Sequence, residues 1–224
     1  MKSKTKKEYI YEELQKEIYE GEYKFNDKLV IDQIAKKFKS SIIPVREAMN
    51  MLESDGLIEI KPHVGAIVKP LSEKDLQNIF QIRIELEGLA TRLSIENLKE
   101  EHMDNLRMIL DASVAAFARE EYKRFEQLNI KFHQAIYEKC ENEMLVQMID
   151  DLWKNNNRYP SLFIKNHAYI ESSIQEHEEI FKALVDRDGK RAEELMIQHK
   201  VRAGKEIISI AQRKFYEVNQ GDFK

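Results

Sequence analysis

Apolar residues recur on one face at helical spacing along most of the chain, with one interruption between positions 57 and 69. Ile10, Leu14 and Ile18 fall at i, i+4 and i+8, which predicts a helix over 4–20 with Gly21 as its stop signal. After the link 21–28, Ile31, Ile34, Ala35 and Phe38 predict a second helix over 31–38. A tight turn at 39–41 leads to a third over 44–54, with Pro44 as its first helical residue and Ile43 at the cap position. Val45, Ala48, Met49 and Leu52 form its buried stripe, and Gly56 closes it. The period then changes. Leu57-Ile58-Glu59-Ile60-Lys61 and Gly65-Ala66-Ile67-Val68-Lys69 are short β-prone runs on either side of Pro62-His63-Val64, which reads as a hairpin. Three short helices followed by a hairpin is the layout of a winged helix-turn-helix.

Pro70 breaks the chain, and the pattern beyond it is helical. Ser72-Glu73-Lys74-Asp75 reads as a capping box opening a helix to about 97. Further helices are predicted at about 99–119, 121–140, 143–157, 170–186 and 188–216, with 158–169 a broken or short helix. The expected fold is therefore mostly α. Residues 1–70 would form a winged helix-turn-helix domain with a β-hairpin wing, and 71–224 an all-α bundle.

Composition narrows the function. The chain has 7 Gly and no Gly-rich phosphate loop, and no strand pattern follows residue 70, which argues against Rossmann and P-loop enzymes. No apolar run approaches the ~18–20 residues of a membrane span, so no membrane partner is expected. The basic start of the chain has no apolar stretch behind it and does not read as a secretory signal. A single cysteine, Cys140, excludes an internal disulfide and suits a reducing cytoplasm. The net charge of −4 is unevenly spread: residues 1–70 carry 13 Lys and Arg against 12 Asp and Glu, so the head is nearly neutral and the excess acid lies beyond it.

In a helix-turn-helix, the N-terminal residues of the second helix meet base edges in the major groove. The candidates are Lys39, Ser41, Ile42, Ile43, Pro44 and Arg46, with Lys28 and the wing residues His63 and Gly65 beside them. Arg46 can reach a phosphate or pair with guanine O6 and N7. Lys2, Lys4, Lys6 and Lys7 are candidates for phosphate contact.

The stretch 29–68 resembles the GntR family of regulators. Pro44-Val45-Arg46-Glu47-Ala48-Met49, Leu52, Gly56-Leu57-Ile58 and Pro62-His63-Val64-Gly65 match the family pattern in order and spacing. One departure matters. The family's Arg-Thr before the proline is Ile42-Ile43 here. With Ile43 at the cap, no side-chain oxygen accepts a backbone N–H, a loss of about 1 kcal/mol. Base readout at Ile42 would be apolar, through a thymine methyl, or absent.

The second half resembles the FCD domain of FadR-type members. Its landmarks are Ile82-Arg83-Ile84-Glu85-Leu86-Glu87, Asn129-Ile130-Lys131-Phe132-His133, Glu176-His177-Glu178-Glu179-Ile180 and Met196-Ile197-Gln198-His199. The resemblance implies a metal site built from Asn129, His133, His177 and His199. Imidazole ligands suit a divalent transition metal, Zn or Ni above all. Asn129 replaces the family's Asp and is a poorer, neutral ligand. Arg83 and Glu87 are four apart: either a surface ion pair worth ~0.3–0.5 kcal/mol, or, as the resemblance implies, an Arg facing an effector cavity. Arg158 and Tyr159 are further candidates for that cavity.

These readings predict a repressor acting as a homodimer on a near-palindromic double-stranded operator, controlled by a small carboxylate effector and catalysing no reaction. The rival is a helical metalloenzyme with an accessory winged domain, in which three His activate water. A protein-binding winged domain is the third possibility.

Overall fold

The computed structural model describes residues 5–19, 21–23, 26–61, 64–69, 73–154 and 166–221. The backbone divides into two units, the second beginning at Glu73. The first is built from α1 (Lys6–Tyr19), β1 (Lys28–Leu29), α2 (Ile31–Lys37), α3 (Ile42–Ser54), β2 (Ile58–Lys61) and β3 (Gly65–Val68). Ile10, Leu14 and Ile18 of α1 pack with Ile34, Val45, Met49 and Leu52 into one core. The hairpin is joined by a third strand that the sequence does not announce. β1 lies antiparallel to β3, with Lys28 opposite Ile67, and the sheet order is β1-β3-β2. Two residues carry too little alternation to be read as a strand.

The start of α3 corrects the sequence reading. The helix begins at Ile42, and the cap position is Ser41, in extended conformation. Pro44 is thus the third helical residue. That position tolerates proline because its N–H would have no intrahelical acceptor. Ile43 is not a cap, so replacing it with Thr restores nothing; the Ser41 side chain itself makes no capping bond.

The second unit comprises α4 (Glu73–Ser94), α5 (Glu100–Ala118), α6 (Tyr122–Tyr137), a 3-10 turn (Glu138–Cys140), α7 (Glu143–Lys154), α8 (His167–Val185) and α9 (Gly189–Gly221). The buried core draws Ala90 from α4, Leu106 and Leu110 from α5, Phe132 and Ile136 from α6, Ile149 from α7, Ile180 and Leu184 from α8, and Met196 from α9. Helix α8 starts three residues before the sequence suggests. Asn166 caps it, accepting from the Tyr169 N–H. No described helix is long and apolar enough to cross a membrane.

Helices α4 and α9 approach closely at two glycines. A Cβ at Gly88 would lie 2.8 Å from the Ile197 side chain, and one at Gly204 2.8 Å from the Phe80 ring. Gly204→Ala would gain up to about 1 kcal/mol of helix propensity. Overpacking costs about 1–3 kcal/mol, so a net loss of stability is expected, measurable by urea denaturation of the full chain. An unchanged midpoint would mean that the Phe80 ring yields freely.

Candidate functional site

Helices α6, α8 and α9 each place one histidine at the same buried point. His133, His177 and His199 are at most 3% exposed, and their ligand nitrogens all lie within 4.8 Å of one another. His177 stacks on Phe132, with centroids 4.5 Å apart. The Nε2 atoms of His133 and His177 are buried and have no hydrogen-bond partner among the described residues. His199 is held differently: its Nδ1 lies 2.6 Å from Glu176 Oε2. With Nδ1–H donating to that carboxylate, its Nε2 lone pair is left for a ligand. Glu176 is itself gripped by Arg202, whose Nε and Nη2 donate to its two oxygens at 2.6 Å each. Asn129 lies one turn before His133 on α6, and its Oδ1 is likewise buried without a partner among the described residues.

Two buried imidazole nitrogens with no partner among the described residues are costly unless something meets them. Neutral imidazoles are what a divalent ion requires, and the cluster is electrostatically set to be neutral. Burial, then the positive charge of Lys200, pushes His133 well below its ordinary value. Burial does the same for His177. For His199, burial outweighs the opposing pull of Glu176 and leaves it at about 4. The donor set therefore fits a transition metal.

A second buried cluster adjoins the first. Glu87 on α4 is fully buried and accepts four bonds. Arg83 Nε (2.7 Å) and Trp153 Nε1 (3.0 Å) donate to Oε1. Tyr137 Oη (2.7 Å) and Lys200 Nζ (3.0 Å) donate to Oε2. Burial alone would raise the Glu87 pKa, but Arg83, Lys200 and the hydrogen bonds bring it down to about 2. The Tyr137 oxygen also lies 3.4 Å from His133 Nδ1, which links the two clusters. Arg83, 3% exposed, is not the surface ion pair that its spacing also allowed. Its Nη1 has no partner among the described residues. Both cations face the Trp153 ring, Arg83 at 5.3 Å and Lys200 at 5.0 Å.

Lys200, Arg202 and Tyr137 are not named by the sequence as site residues. Lys200 left a signal: it falls four residues after Met196 and four before Gly204, inside the apolar stripe of α9. Arg158 and Tyr159 lie outside the described residues, as does His63.

In the first unit, Lys39, Ser41, Ile42, Ile43 and Arg46 are exposed and Pro44 is half-buried, all at the turn and first coil of α3. Lys39 takes a left-handed conformation, φ 46°, as the chain turns between α2 and α3. Lys28 is exposed on β1. Gly65 opens β3 at φ 98°, a conformation that a side chain would strain.

The pKa directions predict acid sensitivity in two windows. His133, His177 and His199 bind protons more readily unfolded, near pH ~6.5, than folded. The metal-free protein should lose stability as pH falls from ~6.5 toward 4. Glu87 and Glu176, both held at about 2, add a second loss between ~4.5 and 2. Thermal melts of chelated protein should show both, and His177→Leu should flatten the upper window alone. A wild-type melting point constant from pH 7.5 to 5 would contradict buried neutral histidines.

Comparison with known proteins places both units. The family model described as bacterial regulatory proteins, gntR family, matches residues 6–68, and the FCD domain model matches 78–202. The chain is 30% identical over 194 residues to the HTH-type regulator YdhC of Bacillus subtilis, covering 85% of each chain. It is 27% identical to the repressor RspR of Escherichia coli, covering 80% of this chain and 79% of that one. The structure of Escherichia coli McbR/YncC superposes with a TM-score of 0.70 at 23% identity over 95% of this chain and 100% of the other, a likeness of fold. These relatives are transcriptional regulators and not enzymes, which removes the metalloenzyme reading. The chain belongs to the GntR family of bacterial transcriptional regulators, with an FCD domain following its DNA-binding head.

Proposed function

We propose that this regulator is a repressor that binds a near-palindromic operator as a homodimer. Its hold on DNA would be controlled by a small carboxylate effector bound in the FCD domain at a site containing a divalent metal, Zn or Ni. The observation that carries the effector reading is the pair of adjoining buried clusters: three neutral histidines, two of them with an Nε2 that meets no partner among the described residues, beside an arginine with an N–H that has no acceptor among them. His133, His177 and His199 would hold the metal, with Asn129 as a weak fourth ligand. The ion, when bound, supplies a Lewis-acidic position for an anionic oxygen.

Arg83 and Lys200 would hold the effector's carboxylate. Glu87 satisfies one unit of their charge, so Arg83, Lys200 and Glu87 together carry a surplus positive charge at a site only 3% exposed. Buried charge costs several kcal/mol unless an anion meets it. Glu87 acts on Arg83 through its Nε, turning the guanidinium and leaving its outer edge for the ligand. The effector changes operator affinity only through a difference in its own affinity for the two states. The repressor assignment is supported by the name of RspR.

Arg46→Ala should weaken binding to a selected operator by about 1–3 kcal/mol if the side chain reads guanine. A phosphate contact would instead give similar losses on specific and random duplexes, with a shallower salt slope. No loss on either duplex removes Arg46 from the interface.

Purified protein should hold about one Zn or Ni per chain by elemental analysis. Asn129→Asp should tighten that binding by adding a charged oxygen. Glu176→Gln should weaken it by roughly 10–100-fold through the orientation of His199. Protein that takes up neither metal, while its DNA affinity still responds to carboxylates, would remove the metal and leave the regulator intact.

A further inference from the structure

Two adjacent isoleucines in the first turn of α3 are exposed, as is Ile60 on β2 at 40%, whereas four others of the head are buried. Ile10, Ile18, Ile34 and Ile58 are at most 2% exposed. Ile42 is 44% exposed and Ile43 70%. Isoleucine is among the residues most often buried, and nothing about α3 requires it here: the helix packs through Val45, Ala48, Met49 and Leu52. Two adjacent side chains are also too small a patch for a protein partner, which needs ~800 Å² per side.

Their position supplies the occupant. α3 is the second helix of the helix-turn-helix pair, and its N-terminal residues are those that meet base edges. Neither isoleucine side chain can donate or accept a hydrogen bond. Along the edges of the base pairs, the major groove presents one apolar group, the C5-methyl of thymine. Resting on the DNA-binding role of α3, we propose that Ile42 and Ile43 read thymine methyl groups, so that each half-site of the operator carries thymine where most readers would use a hydrogen bond.

The side chains suit that contact. Branching at Cβ leaves one strongly preferred rotamer in a helix, so little freedom is lost when a methyl docks. Register follows from the helix. Ile43 precedes Arg46 by three residues and Ile42 by four, which places their Cβ atoms ≈5–6 Å from that of Arg46. Stacked bases repeat every 3.4 Å along a strand. The thymine therefore lies about one or two base pairs from the pair that Arg46 contacts.

Replacing thymine by deoxyuridine tests this, because it removes the methyl and leaves every hydrogen-bonding group in place. Full-length protein is used to select its operator from a random duplex library. Each thymine of a half-site is then replaced by deoxyuridine, and binding is measured by fluorescence anisotropy at fixed salt. Loss of one methyl contact should weaken binding about fourfold, the transfer free energy of one CH₂ converted at 1.4 kcal/mol per tenfold. The loss should fall at one or two thymines and at their symmetry mates. In the Ile42→Ser, Ile43→Ser double variant the thymine and deoxyuridine operators should bind equally. Both positions are exposed, so the variant should fold, which a melting curve checks. A selected operator with no methyl-sensitive thymine, or a double variant that keeps the full preference, overturns the proposal. Failure to select any sequence at all would instead overturn the DNA-binding role of α3.

Discussion

The carboxylate of Glu87 is the point on which the helical domain depends. It sits fully buried among helices α4, α6, α7 and α9, and each of them supplies a donor: Arg83, Tyr137, Trp153 and Lys200. A carboxylate offers about four lone-pair sites, and all four are taken. A buried acid in this state stays ionised, and the arrangement is unforgiving. Removing the acid would strand two cations, and removing one donor would leave an acceptor unmet, each worth more than a typical surface contact.

That one constraint organises the site around it. Arg83 cannot swing toward solvent, because its Nε is committed to Glu87 and its plane lies over Phe80 and Trp153. Tyr137 connects the acid to His133, and Lys200 follows His199 directly on α9. The cations also help to keep the histidines neutral. On the far side, the Arg202–Glu176 pair sets the orientation of His199. The domain thus presents neutral nitrogen ligands on one side of Tyr137 and a surplus of positive charge on the other. The proposed metal and carboxylate sites rest on this division.

Much of this molecule was legible from its amino-acid order. Helical periodicity located the helices because their cores are stripes: Ile10-Leu14-Ile18 and Val45-Ala48-Met49-Leu52 are buried as their spacing demands. The change of period at 57 marked the hairpin, and the resemblance of the stretches around 129, 133, 177 and 199 to the FCD pattern raised a candidate metal site. The errors were local. A two-residue strand has no period to detect, and α3 began two residues early because Pro44 is tolerated at its third position as well as its first. Ile42 and Ile43 were legible as apolar residues at base-contacting positions, and the structure adds the degree of their exposure.

By itself, then, the sequence determined the helices, the winged head and the kinds of chemistry available. These follow from nearest neighbours and from periodicities of 2.0 and 3.6, which are properties of a single segment. Only the tertiary structure decided that Arg83 and Glu87 are buried rather than a surface pair, that Lys200 shares their acid, and that three histidines from three helices meet. Those outcomes turn on which face of each helix is withdrawn from water, and on residues 22 to 113 positions apart becoming neighbours. Burial is what makes the charges matter, because the same ion pair that is nearly neutral in free energy at the surface becomes decisive once water is gone.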